Sequence, residues 1–276
     1  VAAPAFNQHG GHVESGFDLT LTAPSGAIYY TLDGSDPRAA GGEIGVTALL
    51  YTGTPLDITA AVTVKARALA DGDWSALAEA SFIVAIPAGA TNLRVTELNY
   101  NPHAANPVPG LNELAADSDA FEFVELQNVS AETLDLAGVA FVEVAVGSDL
   151  EGIVFTFSQQ TLAPGAATVV VSDLAAFASR YGTGLNIAGQ YSGQLSNGGE
   201  QLTLRAANGA TIQSFAYNDS GNWPGRADGT GSTLEVIDPS GDYASATNWR
   251  SSSEFGGPPA APGTGPRGTG SSRPTR

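Results

Sequence analysis

IYYTLDGSDPR, residues 28–38, runs a strand-like apolar segment straight into a turn that carries two carboxylates. Ile28, Tyr29, Tyr30, Thr31 and Leu32 have the β-branched and aromatic character of a strand. Asp33-Gly34-Ser35-Asp36-Pro37 has the chemistry of a corner. Gly34 supplies a positive φ, Asp33 and Asp36 accept backbone N–H groups, and Pro37 stops the ladder. This turn reading needs no ligand and is preferred. Calcium is the alternative use of Asp33 and Asp36, because crowded oxygens suit a hard cation. The stretch departs from the D-x-D-x-D-G calcium loop, however, and lacks its distal bidentate Glu. A catalytic pair ranks last, because two acids on one turn without a pocket do not divide acid and base roles.

Working outward, short strands dominate. Residues 17–23 (FDLTLTA) and 62–70 (VTVKARALA) alternate apolar and polar side chains, with Val62, Val64, Ala66 and Ala68 on one face. Further strands are predicted over 93–100, 121–128, 139–144, 153–157, 167–171, 201–206 and 211–217. Most are separated by Gly, Pro, Asn or Asp, a pattern of antiparallel sandwiches rather than of a parallel βαβ sheet. One helix is predicted, capped by Asp173, with Leu174, Phe177, Ala178 and Tyr181 on one face and Gly182 as its stop.

Bulk composition narrows the function. The 276 residues are 42% hydrophobic, enough for a core, and long enough for two domains. Only 14% are charged, below the roughly 25% usual for globular domains. Eleven basic against 28 acidic residues give a net charge of −17, which argues against nucleic acid and anionic membrane as partners. There is no cysteine, so disulfides and thiolate metal sites are excluded. No apolar run reaches the ~18 residues of a membrane span, and no signal peptide is seen. Val1 in place of a methionine is expected to be a processed or excised terminus. The composition suits a secreted protein.

The first half resembles the chitobiase/β-hexosaminidase C-terminal domain, an immunoglobulin-like sandwich. The residues that carry this are IYYTLDGSDP (28–37), LLYTGTPLDI (49–58) and VTVKARALADGDWS (62–75). The second half resembles a bacterial lamin tail domain, also immunoglobulin-like. Its marks are VTELNYNP (95–102), FEFVELQNVSAETLDLAGVAF (121–141), LAPGAATVVV (162–171), LSNGGEQLTL (195–204) and WPGRADGTGSTLEVIDP (223–239). Both resemblances imply non-catalytic modules, and neither brings a catalytic residue set. The expected architecture is all-β: two tandem immunoglobulin-like β-sandwiches with one short surface helix. The first covers residues 1–85 and the second 93–255, with a linker at 86–92. A Pro/Gly-rich tail follows over 256–276, and residues 101–120 read as an inserted loop.

Other constellations stand beside plainer readings. In FEFVE (121–125), alternation puts Glu122 and Glu125 on opposite faces. One of Glu97, Glu122 and Glu125 is therefore expected to point inward, paired with Arg94 or Arg226. The sharper reading is calcium bound by some of Glu97, Asn99, Asp119, Glu122 and Asp228. His9 and His12 lack a third ligand. No histidine stands beside a serine nucleophile, and G-x-S-x-G does not occur. Trp74, Trp223 and Trp249 read first as packing residues. Trp223 and Trp249, beside loops, are the candidates for stacking on a glycan. Asn128 and Asn218 open N-glycosylation sequons.

The functional expectation is a non-catalytic, secreted or cell-surface structural or adhesive protein of bacterial type, such as a subunit of an extracellular fibre or surface assembly. Its partners would be further copies, other surface proteins or polysaccharide. VAAPAF (1–6) or the tail from Gly256 is expected to bridge subunits, since sandwich edges accept strands. The alternative is the glycan-binding or spacer region of a larger extracellular hydrolase or nuclease.

Overall fold

The computed structural model describes residues 1–106, 113–114, 116–257 and 259. The tail beyond Gly257, Pro259 apart, and the centre of the 101–120 insertion lie outside the described residues. The chain divides into two compact units, Val1–Ile86 and Pro87 onward.

In the first unit a six-stranded sheet runs in the order Gly11–Val13, Ala78–Val84, Val62–Ala70, Ala27–Thr31, Leu49–Leu50, with Asp73–Trp74 paired to Val62–Ala70. The Gly11–Val13 pairing is parallel and the others antiparallel. Two short antiparallel pairs complete the unit, Ala5–Phe6 with Leu21–Thr22 and Phe17–Leu19 with Leu56–Ile58. The period-2 reading of Val62–Ala70 holds, since Val64, Ala66 and Ala68 are fully buried. Val64 and Ala66 join a core of Phe6, Leu19, Leu21, Ile28, Ile58 and Phe82.

Two expectations change here. The run 17–23 is two strands, because the Asn7 side chain accepts the Thr20 N–H (2.9 Å) and the Asn7 N–H donates to the Thr20 carbonyl. Leu19 and Leu21 still share the buried face across that break. VAAPAF is no free arm either: Ala5 and Phe6 are paired within the chain and Phe6 is buried in the core. Using it as a bridging strand would open the first unit.

The second unit holds a six-stranded sheet in the order Ile187–Gln190, Ala167–Val171, Phe123–Asn128, Leu93–Asn99, Leu234–Val236, Trp249–Ser251. A four-stranded sheet runs Phe155–Thr156, Ala140–Phe141, Gln201–Arg205, Thr211–Ala216. The two are tied where the Val95 N–H donates to Gln213 Oε1 at 2.7 Å. The expected linker residues are folded in part: the Ala88 N–H donates to the Asp135 carbonyl, and Asn92 closes a turn with Gly89 and Pro87.

The helix occupies Leu174–Tyr181 as expected. The Asp173 carboxylate accepts the Ala175 and Ala176 N–H groups at 2.8 Å, and Gly182 ends it at φ 81°. Phe177 packs on Phe123, Val169 and Val171. Leu174, assigned to the inward face by spacing, is 45% exposed because it is the first helical residue at the rim. Arg180 instead turns in, with its guanidinium 3.5 Å from the Phe121 ring and paired with Glu113 at 2.6 Å.

Candidate functional site

The DGSDP turn is held by its own side chains. Asp33 Oδ1 accepts the Ser35 N–H (3.0 Å) and hydroxyl (2.5 Å), and Gly34 has φ 79°. Asp36 takes a two-pronged contact from Arg67, with Nε and Nη2 each at 2.8 Å, and accepts the Arg38 N–H at 2.9 Å. Arg67 Nη1 continues to the Ser75 carbonyl at 2.6 Å. That guanidinium holds the Asp36 carboxyl below its ordinary value. Both carboxylates are therefore occupied by the protein, and the turn reading of the sequence describes them.

The remaining acidic residues do not assemble into one shell. Glu97 accepts the Thr233 hydroxyl at 2.6 Å, Asp119 accepts from Gln194 Nε2 at 2.7 Å, and Asp228 accepts from Asn101 Nδ2 at 2.6 Å. Among the described residues no group of three or more His, Cys, Asp or Glu side chains is arranged to hold a metal ion. The calcium candidates expected from sequence, Asp33 with Asp36 and some of Glu97, Asn99, Asp119, Glu122 and Asp228, are not among such groups.

The polar feature of the second unit is a set of buried carboxylates. Every residue of Phe123–Asn128 is buried, so both faces of that strand are covered and alternation cannot choose between Glu122 and Glu125. Glu97, Glu122 and Glu125 are all inside. The expected ion pair from Arg94 or Arg226 does not form with Glu122. Arg94 donates to the Pro239 and Leu93 carbonyls, and Arg226 is exposed. Glu122 Oε2 instead accepts the Tyr191 hydroxyl (2.8 Å) and the Leu195 N–H (3.0 Å). Its Oε1 is buried without a partner. Burial, opposed by those two hydrogen bonds, pushes the Glu122 carboxyl up to about 8.

Glu200 was missed by the sequence reading. Its carboxylate accepts the Gly152 (2.8 Å) and Ser196 (3.1 Å) N–H groups and the Tyr217 hydroxyl (3.3 Å). Glu122 and Glu200 thereby pin the 194–200 loop from two sides. A glutamate following Asn-Gly-Gly carries no local signal of burial, because the groups it meets are distant in sequence.

The tryptophans divide. Trp249 is 3% exposed, packs against Phe215 and Tyr243, and donates from Nε1 to the Tyr243 carbonyl at 3.0 Å. It is a core residue and cannot stack on a glycan. Trp74 packs edge-on to Tyr29 and donates to the Gly42 carbonyl. Trp223 is half-buried against Trp249 and lines a groove of about 450 Å³ with Asn218, Ser220 and Asn222.

Strand content, sheet order and filled cores define the class: two immunoglobulin-like β-sandwich modules. Comparison with known families gives the kinds. Residues 8–77 match the Chitobiase/beta-hexosaminidase C-terminal domain, and residues 87–219 match the Lamin Tail Domain. Both resemblances read from sequence are therefore shown, and both are non-catalytic domain types. No curated protein matches the chain. Among solved structures, a DUF4876 family protein from Bacteroides thetaiotaomicron is similar at 17% identity with a TM-score of 0.22. The match covers 58% of this chain and 46% of that one, so the chain spans less than half of its length.

Proposed function

We propose that the chain is a structural or adhesive protein, secreted or displayed on a bacterial surface, that works by holding partners together rather than by turning over a substrate. One observation carries this reading. Leu49–Leu50 is the edge strand of the first unit's large sheet, and the apolar residues at and beside it face solvent. Leu49 is 50% and Leu50 53% exposed, Val46 fully so, with Ile44 and Leu32 exposed as well. Residues 44–55 contain no charged side chain, in a chain whose net charge is −17. Edge strands are ordinarily protected by charge, and an uncharged apolar edge favours pairing with another chain. Sedimentation velocity of the purified chain against Leu49→Lys and Val46→Asp tests it. Concentration-dependent assembly should be lost in the variants with circular dichroism unchanged. A wild-type protein that stays monomeric and captures no surface component would overturn the reading.

A second reading has an observation of its own. Trp223 beside amide and hydroxyl side chains is a surface that suits a neutral sugar, as an accessory region of an extracellular hydrolase would need.

A further inference from the structure

Cations are few in this chain, and most of them are accounted for. Among the described residues, Lys65, Arg67, Arg180 and Arg250 are each paired with a carboxylate at 2.6–3.5 Å. Arg38, Arg205 and Arg226 lie exposed on the surface. Arg94 is the one left, half-buried and without a carboxylate partner in a chain that carries 28 acidic residues. Leu93 and Val95 fill the core, so alternation sets Arg94 on the opposite face, beside its cross-strand neighbour Gln127. Two carbonyls orient the guanidinium: Nε donates to Pro239 at 3.0 Å and Nη1 to Leu93 at 3.1 Å. These dipoles fix its plane without neutralising it, and Nη2 has no acceptor among the described residues.

Arg94 lines a groove of about 480 Å³ in the second unit, a size that takes a small ligand. Asp238 lines it too, farther from Arg94 than an ion pair allows, and its Oδ1 is occupied by the N–H (2.9 Å) and hydroxyl (2.7 Å) of Ser240. Gln127 Nε2 is held by the Gly165 carbonyl at 3.1 Å. Asp238 Oδ2 and Gln127 Oε1 are thereby left to accept, and Thr91 adds a hydroxyl. Val129 and Pro239 supply apolar wall. One open guanidinium edge beside several acceptors suits a ligand that presents a single carboxylate together with hydroxyl groups. The net charge of −17 and Asp238 itself work against a dense polyanion. A neutral sugar would leave Arg94 without a counter-charge.

We propose that this groove binds a uronic acid residue of an acidic polysaccharide, its carboxylate on Arg94 Nη2 and its hydroxyls donating to Asp238 and Gln127. The site is separate from the apolar edge at Leu49–Leu50 and from the Trp223 groove, and it stands whether or not either of those binds a partner.

The test titrates the full chain with galacturonate and glucuronate, as monomers and short oligomers, against galactose and glucose, by isothermal calorimetry. Uronates should bind saturably, with the neutral sugars weaker by roughly tenfold or more. Arg94→Gln should remove that preference, and Trp223→Ala should leave it intact. Absence of saturable uronate binding, equal affinity for acidic and neutral sugars, or a preference unchanged in Arg94→Gln would each overturn the proposal. Should Arg94→Gln fail to fold, backbone amide shifts in wild type decide. Shifts on uronate addition centred on Thr91, Gly165 and Ser240 support the site, and shifts centred elsewhere refute it.

Discussion

Replacing Trp249 separates the two uses that its sequence position allowed. The indole is 3% exposed and in contact with Phe215, Tyr243 and Trp223, with ring centroids 5.5–5.9 Å away. Truncation to Ala removes that buried surface and leaves a cavity, at a cost of about 3–5 kcal/mol. The Tyr243 carbonyl also loses its N–H donor, which adds about 1 kcal/mol. For a unit of this size each kcal/mol shifts the melting temperature by about 2–4 °C, so Trp249→Ala should melt roughly 8–24 °C lower. Trp223→Ala, at a half-exposed ring, should cost no more than about 1 kcal/mol. Differential scanning calorimetry of the full chain measures both, with near-ultraviolet circular dichroism reporting on packing. A Trp249→Ala protein that melts with wild type, yet loses affinity on a glycan array, would refute the packing argument. Loss of glycan binding in Trp223→Ala alone would support the accessory reading and leave that argument intact.

Two further outcomes follow from the turn and the carboxylates. Arg67→Lys keeps the charge but loses the planar fork on Asp36, which is partly exposed, so it should destabilise the first unit by only about 1 kcal/mol. Because Asp36 titrates below its ordinary value, its contribution is present above that value and is lost as pH falls through the lower folded one. An acid-denaturation series should therefore be shallower at low pH in Arg67→Met than in wild type. Millimolar Ca²⁺ followed by chelator should leave both melting transitions unmoved, since ligand binding to the native state alone would raise them. A rise of several degrees would show that the acidic residues gather in a way this fold does not provide.

Strand content, the helix and its cap, the two domain kinds and the DGSDP corner were all legible along the chain. Each rests on local chemistry. Period-2 alternation holds Val64, Ala66 and Ala68 on one face, Asp173 needs only the N–H groups two and three residues on, and Gly34 needs only its own φ. These interactions span a few residues, so spacing along the sequence reveals them.

What alternation could not resolve was the fate of groups whose partners come from far away. Glu122 meets Tyr191 and Leu195 about seventy residues on, Glu200 meets Gly152, and Trp249 is enclosed by Phe215. Both faces of Phe123–Asn128 are covered, so outward and inward lose their meaning there and three glutamates end up inside where one was expected. Burial is a property of what packs over a side chain, and that is set by sheet order and strand register. Only the assembled sandwich determines which carboxylates are buried and which donors meet them.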